Sequence, residues 1–173
     1  ANEDGGAIYL TDSDEILVAD CDISNNTAAR GGGLYGIYSE GVTIVGSTIT
    51  YNEASRGISY EFYNRDPNDP NLPIGPPDPH GSLGDPNYIA IQQTGGGIAQ
   101  GGGIYSFEGP GLIADCNISF NSANTSGGGV YLAGDFSPEL NNCLITNNTA
   151  ARDGGGISAN WQVNATISNC TIA

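Results

Sequence analysis

The sequence predicts an all-β fold, a parallel β-helix (solenoid), and three observations predict it. The first is an internal repeat of about 26 residues: Cys116, Cys143 and Cys170 stand 27 apart, and Cys21 and Ser47 stand 26 apart. The second is period-two alternation within each unit, as in Ile16-Leu17-Val18-Ala19-Asp20-Cys21 and Ala165-Thr166-Ile167-Ser168-Asn169-Cys170, which is the spacing of strands and not of helices. The third is the punctuation between those stretches. Glycine triplets and Asn-Asn or Asn-Thr pairs supply turns that need positive φ or side-chain hydrogen bonds to the backbone. Strands this short cannot bury a face alone, but successive coils stacked into parallel sheets enclose one continuous core.

Each element can be placed on the template that runs from Cys21-Asp22-Ile23 through Asn26-Thr27-Ala28 to Gly31-Gly32-Gly33-Leu34-Tyr35. Copies begin at Cys116 and Cys143, and a weaker copy has Ser47 in the Cys place, then Asn52-Glu53-Ala54 and Gly57-Ile58-Ser59. The last glycine-phase positions fall at 7, 33, 57, 103, 129 and 156, which predicts six to seven coils. The core should hold ladders of the Cys/Ser position, of Ile23, Ile49, Ile118, Ile145 and Ile172, and of Ile8, Leu34, Ile58, Ile104, Val130 and Ile157. Tyr9, Tyr35, Tyr105 and Tyr131 alternate with that last set and should face outward. Asn2, Asn26, Asn52, Asn121 and Asn148 share a turn phase in which stacked amides hydrogen-bond from coil to coil.

One step of the repeat is 46 residues long and holds seven of the nine prolines, from Pro67 to Pro86. The whole chain, residues 1–173, therefore reads as one β-helix domain with a surface loop inserted within 60–100, in turn and polyproline conformation. Gly95-Gly96-Gly97 just before Gly101-Gly102-Gly103 leaves the register of that coil open.

The order Asn-x-Ala, glycine pair or triplet, then Ile/Leu/Val-Tyr, seen in Asn26-Thr27-Ala28 to Gly33-Leu34-Tyr35 and in Gly5-Gly6-Ala7-Ile8-Tyr9, resembles the right-handed β-helix repeats of bacterial surface proteins. Polymorphic outer-membrane proteins and autotransporter-like passengers are the nearest kind. The resemblance covers nearly all the chain outside residues 60–100 and implies an extracellular or cell-surface location. It speaks for the fold far more than for function, since such solenoids serve as adhesins, spacers and polysaccharide-cleaving enzymes.

The two ends of the sequence fit one another. Cys170-Thr171-Ile172-Ala173 begins a unit, and Ala1 and Asn2 continue it in phase. This predicts a structural protein whose identical copies stack head to tail into a filament, through an interface built from Ala1, Asn2, Ile8, Cys21, Ile157, Cys170, Ile172 and Ala173. Six coils give an axial repeat of roughly 29 Å, and seven roughly 34 Å. The Cys column admits two states: disulfides joining Cys116 to Cys143 and Cys170 to Cys21 of the next copy, or a ladder of reduced, buried thiols.

Composition narrows the alternatives. A formal charge of -15, with four arginines and no lysine, excludes nucleic acid as a partner. No run is long and apolar enough to insert into a membrane as a helix. Six Asn-x-Ser/Thr sequons, at Asn117, Asn169, Asn25, Asn124, Asn147 and Asn164, are candidate glycosylation sites. Of these, Asn117 and Asn169 flank inward Cys residues and should point outward. Asp66 and Asp69, with Asp78 and Asp85, offer oxygen ligands for Ca²⁺, although the spacing of a calcium loop is missing and a plain surface loop reads as well; no other metal or cofactor is implied. A lyase or hydrolase needs a proton abstractor or converging carboxylates. His80 stands alone, Arg56 and Arg65 are scattered, Arg30 and Arg152 look like repeat equivalents, and Asp20 and Asp115 share a column, so no catalytic residue is expected. The rival to the filament is an adhesin or passenger segment that binds glycans or host surfaces through the outward tyrosines and Trp161.

Overall fold

A computed structural model describes residues 4–39, 41–55, 59–65, 73–74, 88–93 and 99–173. The chain divides into two units, residues 1–57 together with 98–173, and residues 58–97.

The first unit is a parallel β-solenoid of five stacked rungs, about four turns. Four sheets run along it. The first stacks Ile8–Thr11, Leu34–Ile37, Ile104–Phe107, Val130–Ala133 and Ile157–Asn160. The second stacks Leu17–Ala19, Thr43–Val45, Leu112–Ala114, Glu139–Asn141 and Thr166–Ser168, and the third stacks Asp22–Ser24, Thr48–Thr50, Asn117–Ser119, Leu144–Thr146 and Thr171–Ile172. A fourth stacks Thr27–Ala28, Glu53–Ala54, Ser122–Ala123 and Thr149–Ala150. Every pairing is parallel and without slip, Ile23 over Ile49 and Ile118 over Ile145. Register is held by the core, because a one-residue slip would turn every inward side chain to solvent. The core holds two of the expected ladders, Leu34, Ile104 and Val130 from the first sheet and Ile49, Ile118 and Ile145 from the third, and one that was not foreseen, Ile44, Ile113 and Leu140 from the second, all fully buried.

The asparagine phase and the glycine triplets are one device. Asn26 Nδ2 donates to Asn52 Oδ1 at 3.0 Å, Asn52 Nδ2 to Asn121 Oδ1 at 3.1 Å, and Asn121 Nδ2 to Asn148 Oδ1 at 3.0 Å. The amides of Asn52, Asn121 and Asn148 also donate back to the preceding rung, as Asn121 does to the Ile49 carbonyl at 2.8 Å. Asn52 and Asn121 are buried, so the ladder lies inside the wall and not on its surface. Directly above it pass the glycines. The first of each triplet turns the chain at positive φ, 67° at Gly101. At Gly102 a Cβ would run into the Ser122 and Gly128 carbonyls of the adjoining rung, and at Gly103 it would press on the Asn121 amide.

The coil count is five, not six to seven, because the long step makes no rung of its own. Leu34 pairs directly with Ile104, and the Gly31 N–H donates to the Gln100 carbonyl at 3.0 Å. The chain leaves after Ala54 and returns at Ala99 one rung higher, so Gly101-Gly102-Gly103 is the triplet in register and Ile104 follows Leu34 in the core ladder. Gly57, Ile58 and Gly95-Gly96-Gly97 lie outside the described residues.

Residues 58–97 form a unit with strands, where a loop was expected. Ser59–Arg65 lies between Pro73–Ile74 and Tyr88–Gln93, antiparallel to both, with six residue pairs from Tyr88 on Asn64 to Gln93 on Ser59. The prolines hid the two β-prone runs that flank them, Ser59-Tyr60-Glu61-Phe62-Tyr63 and Tyr88-Ile89-Ala90-Ile91. Pro73 opens an edge strand, a place that loses no ladder hydrogen bond.

Removing one amide tests the ladder. Asn121→Ala leaves the Asn52 N–H, the Asn52 amide and the Ile49 carbonyl without their partner, and should cost about 3 kcal/mol in urea unfolding at unchanged m-value. Asn26→Ala, at the partly exposed end of the ladder, should cost about 1 kcal/mol.

Candidate functional site

The tyrosines expected on the outer face are there but are not bare. Tyr35, Tyr105 and Tyr131 are only 3%, 5% and 2% exposed and form a second apolar cluster with Ala133. Rung spacing explains the geometry: parallel pairing sets one ring above the next, with centroids 5.2 Å apart for Tyr9 and Tyr35, 4.9 Å for Tyr35 and Tyr105, and 5.3 Å for Tyr105 and Tyr131. Interplanar angles stay within 14°. Arg30 lies alongside, its guanidinium carbon 5.2 Å from the Tyr35 centroid and 5.5 Å from that of Tyr105. It is held there by Asp4, which accepts from Nε at 2.8 Å and from Nη2 at 2.6 Å.

The electrostatics of this group follow from burial. Burial drives the Tyr35 hydroxyl up to about 12 even though Arg30 pulls the other way, and it raises Tyr105 for the same reason. Arg30 is held above its ordinary value, because the Asp4 hydrogen bond and charge outweigh the burial that would lower it.

Arg30 and Arg152 are not repeat equivalents. The Gly127 N–H donates to the Asp153 carbonyl as the Gly5 N–H does to that of Arg30, so Arg30 shares its column with Asp4, Gln100, Ser126 and Asp153. The longer spacing between the fourth and fifth rungs shifts Arg152 one place back, where it is exposed. Asp20 and Asp115 do share a column, with Gly46, Asn142 and Asn169, all at positive φ, and Asp115 Oδ1 accepts from the Asn142 amide.

The Cys column runs Cys21, Ser47, Cys116, Cys143 and Cys170, and all four thiols are free. Cys116 and Cys143 are buried, Cys170 half-buried and Cys21 exposed. Their sulfurs donate to the carbonyl two residues back, Cys116 to Ala114 at 3.0 Å and Cys170 to Ser168 at 3.2 Å. The hydrogen bond shared with Cys116, and then burial, hold the Cys143 thiol well above its ordinary range, so it stays protonated.

The remaining sequence candidates are scattered. Of the sequons, Asn25, Asn124, Asn147, Asn164 and Asn169 are exposed, whereas Asn117 is half-buried in a strand and its amide oxygen accepts from Ser119 Oγ at 2.9 Å. Ser126, the hydroxyl of the Asn124 sequon, is buried and donates to Asp153 Oδ2 at 3.3 Å. Ala1, Asn2, Arg56, His80, Asp66, Asp69, Asp78 and Asp85 lie outside the described residues; of Arg65 only the strand is described. Among the described residues no three His, Cys, Asp or Glu side chains gather as a metal site, and no helix is long and apolar enough to cross a membrane. The residues expected at an end-to-end interface fall on the outermost rungs. Ile8, Ile157 and Cys170 are half-buried there, and Cys21, Ile172 and Ala173 exposed.

Residues 142–160, spanning Cys143, the Asn148 amide and the Gly154-Gly155-Gly156 triplet, match the family model for the Chlamydia polymorphic membrane protein repeat. Repeat and fold together fit a bacterial surface β-helix repeat protein. No curated protein and no solved structure matches the chain.

Two measurements check the chemistry of this β-helix repeat protein. In the unfolded chain Tyr35 ionises near pH 10, whereas the fold holds its proton to about pH 12. Its contribution is complete below pH 10 and is lost as pH rises through 12. Denaturation midpoints should fall across that window, and less steeply in Tyr35→Phe than in the native protein. Toward a thiol reagent at neutral pH, Cys21 should react within the mixing period, while Cys116 and Cys143 react only at the rate of unfolding.

Proposed function

We propose that this chain is a non-catalytic, extracellular structural element of a bacterial surface, a rigid shaft segment whose identical copies continue one another's rungs head to tail. The observation that carries the reading is the contrast between inner and outer rungs. Leu140 and Ile145 are fully buried, yet their columns end on rung five with Ile167 at 45% and Ile172 at 49% exposure. Those side chains sit on strands whose second edge is unpaired, and apolar side chains beside free N–H and C=O groups attract a further strand. At the opposite end the rung of Ile8, Leu17 and Asp22 offers the complementary edge, so the contact is heterologous and does not close on itself. The surface setting is inferred from the polymorphic-membrane-protein repeat and from the acidic composition, which keeps such a shaft soluble.

Electron microscopy and sedimentation of the 173-residue chain test this. Each copy adds five rungs, so filaments should repeat axially every about 24 Å, with the 4.8 Å rung spacing along the axis. Ile172→Lys should abolish filaments with little loss of stability, because the side chain is half exposed before assembly. A chain that stays monomeric up to millimolar concentration would sink the proposal.

A further inference from the structure

We infer that the corner after the first sheet is a binding row for an uncharged polysaccharide strand. Its column runs Asp12, Tyr38, Glu108, Gly134 and Trp161, one residue per rung, all at positive φ. Corners of this kind suit Asn, Asp and Gly; a bulky side chain there works against a backbone cost of about 1 kcal/mol. Tyr38 and Trp161 nonetheless occupy it, 50% and 67% exposed. Trp161 is the protein's single tryptophan. Exposed apolar rings in strained corners contribute nothing to the core, so their use lies outside it.

The three rings are joined end to end. Tyr38 meets Phe107 edge to face, with centroids 5.6 Å apart at 89°, and Phe107 meets Trp161 in the same way at 6.0 Å and 77°. Phe107 is on rung three and Trp161 on rung five, so the indole reaches back across rung four, where Ala133 and Gly134 carry no long side chain. Glu108 reaches over the same place, since a Cβ on Gly134 would collide with its Cγ. The result is a single file of aromatic surface from rung two to rung five, about 14 Å long, with a carboxylate part-way along it.

That shape selects its occupant. Tyr38 and Trp161 stay 50% and 67% exposed beside these edge-to-face contacts, and the electron-rich face of such a ring attracts the weakly positive C–H bonds of a pyranose, while Glu108 accepts from its hydroxyls. The other exposed pair, Tyr51 and Phe120, also stands at positive φ, 58% and 49% exposed, but lies face on face at 5.1 Å, so each ring covers one face of the other and the pair spans only two rungs. A single ring face attracts a cation as well, which makes an oligoarginine peptide the rival ligand to test. A protein partner needs roughly 800 Å² on each side, far wider than one file of rings. The formal charge of -15 repels polyuronates and sulfated chains, which leaves the uncharged polysaccharides.

Affinity electrophoresis and fluorescence test the row on the whole 173-residue chain. Native protein should be retarded in gels containing hydroxyethyl cellulose, laminarin or mannan, at least one of them saturably. That polymer should shift the emission of Trp161, which alone reports. Trp161→Ala and Tyr38→Ala should each weaken retardation about tenfold, at unchanged far-ultraviolet dichroism, while Tyr51→Ala leaves it unaltered. Polygalacturonate should have no effect. The inference is overturned if none of the three neutral polymers retards the native chain, if the Trp161 and Tyr38 variants bind like the native protein, or if an oligoarginine peptide shifts the emission and the polymers do not.

Discussion

One constraint governs this molecule: parallel pairing puts each residue about 4.8 Å above its equivalent, so every column must be compatible with copies of itself. An isoleucine satisfies that by packing on isoleucine. A polar group satisfies it only when it donates upward and accepts from below, as a carboxamide can and a carboxylate cannot. The buried Asn column from Asn26 to Asn148 is that solution, and it threads the solenoid wall without leaving a polar group bare. Because the amide fills the space beneath the adjoining strand, that strand has room only for glycine. The Asn phase and the Gly triplets are thus one requirement seen at two places in the sequence.

The same constraint explains why the wall tolerates a large excursion. Once Ala54 and Ala99 are on neighbouring rungs, the columns on either side are already specified. The chain between them need only return its end to the right carbonyl. Loop-closure entropy grows slowly with length, so some forty residues cost little more than ten. Register is therefore untouched: Asn52 is bonded to Asn121 across 69 residues as Asn26 is to Asn52 across 26.

What the sequence revealed follows the same division. The ladders of Ile23, Ile49, Ile118 and Ile145, the Asn amides and the Cys phase were all legible, because a column repeats its residue type and repetition is visible in one dimension. The rung count was not. It depended on which of two glycine triplets, at residues 95–97 or 101–103, meets Gly31, and only the hydrogen bond to Gln100 decides that. The pairing of Arg30 with Asp4 was equally hidden, since opposite charges in one column do not look alike. Tyr9 is exposed as expected, but Tyr35, Tyr105 and Tyr131 were assigned to the correct face and the wrong environment. Alternation tells which side of a sheet a residue is on, but not that stacked rings beside a guanidinium bury one another.

Places where a column stops repeating have a different origin. Structural demand on a rung is nearly the same at every level and drives many columns toward one residue type; where a column varies, the variation answers either to a partner within the wall, as Arg30 does to Asp4, or to something outside it. The Asp20 corner keeps Asp, Gly or Asn on all five rungs and needs no further account. The corner of Asp12, Tyr38, Glu108, Gly134 and Trp161 has five different residues in the same backbone conformation. If that corner served only to turn the chain, the small polar residues of its neighbour would fit it better. Its variety is organised, because the small Gly134 lies where Glu108 and the indole both need room, and Phe107 on the adjoining strand joins the two outer rings. A pattern in which each departure makes space for another is the mark of a surface shaped by what it touches.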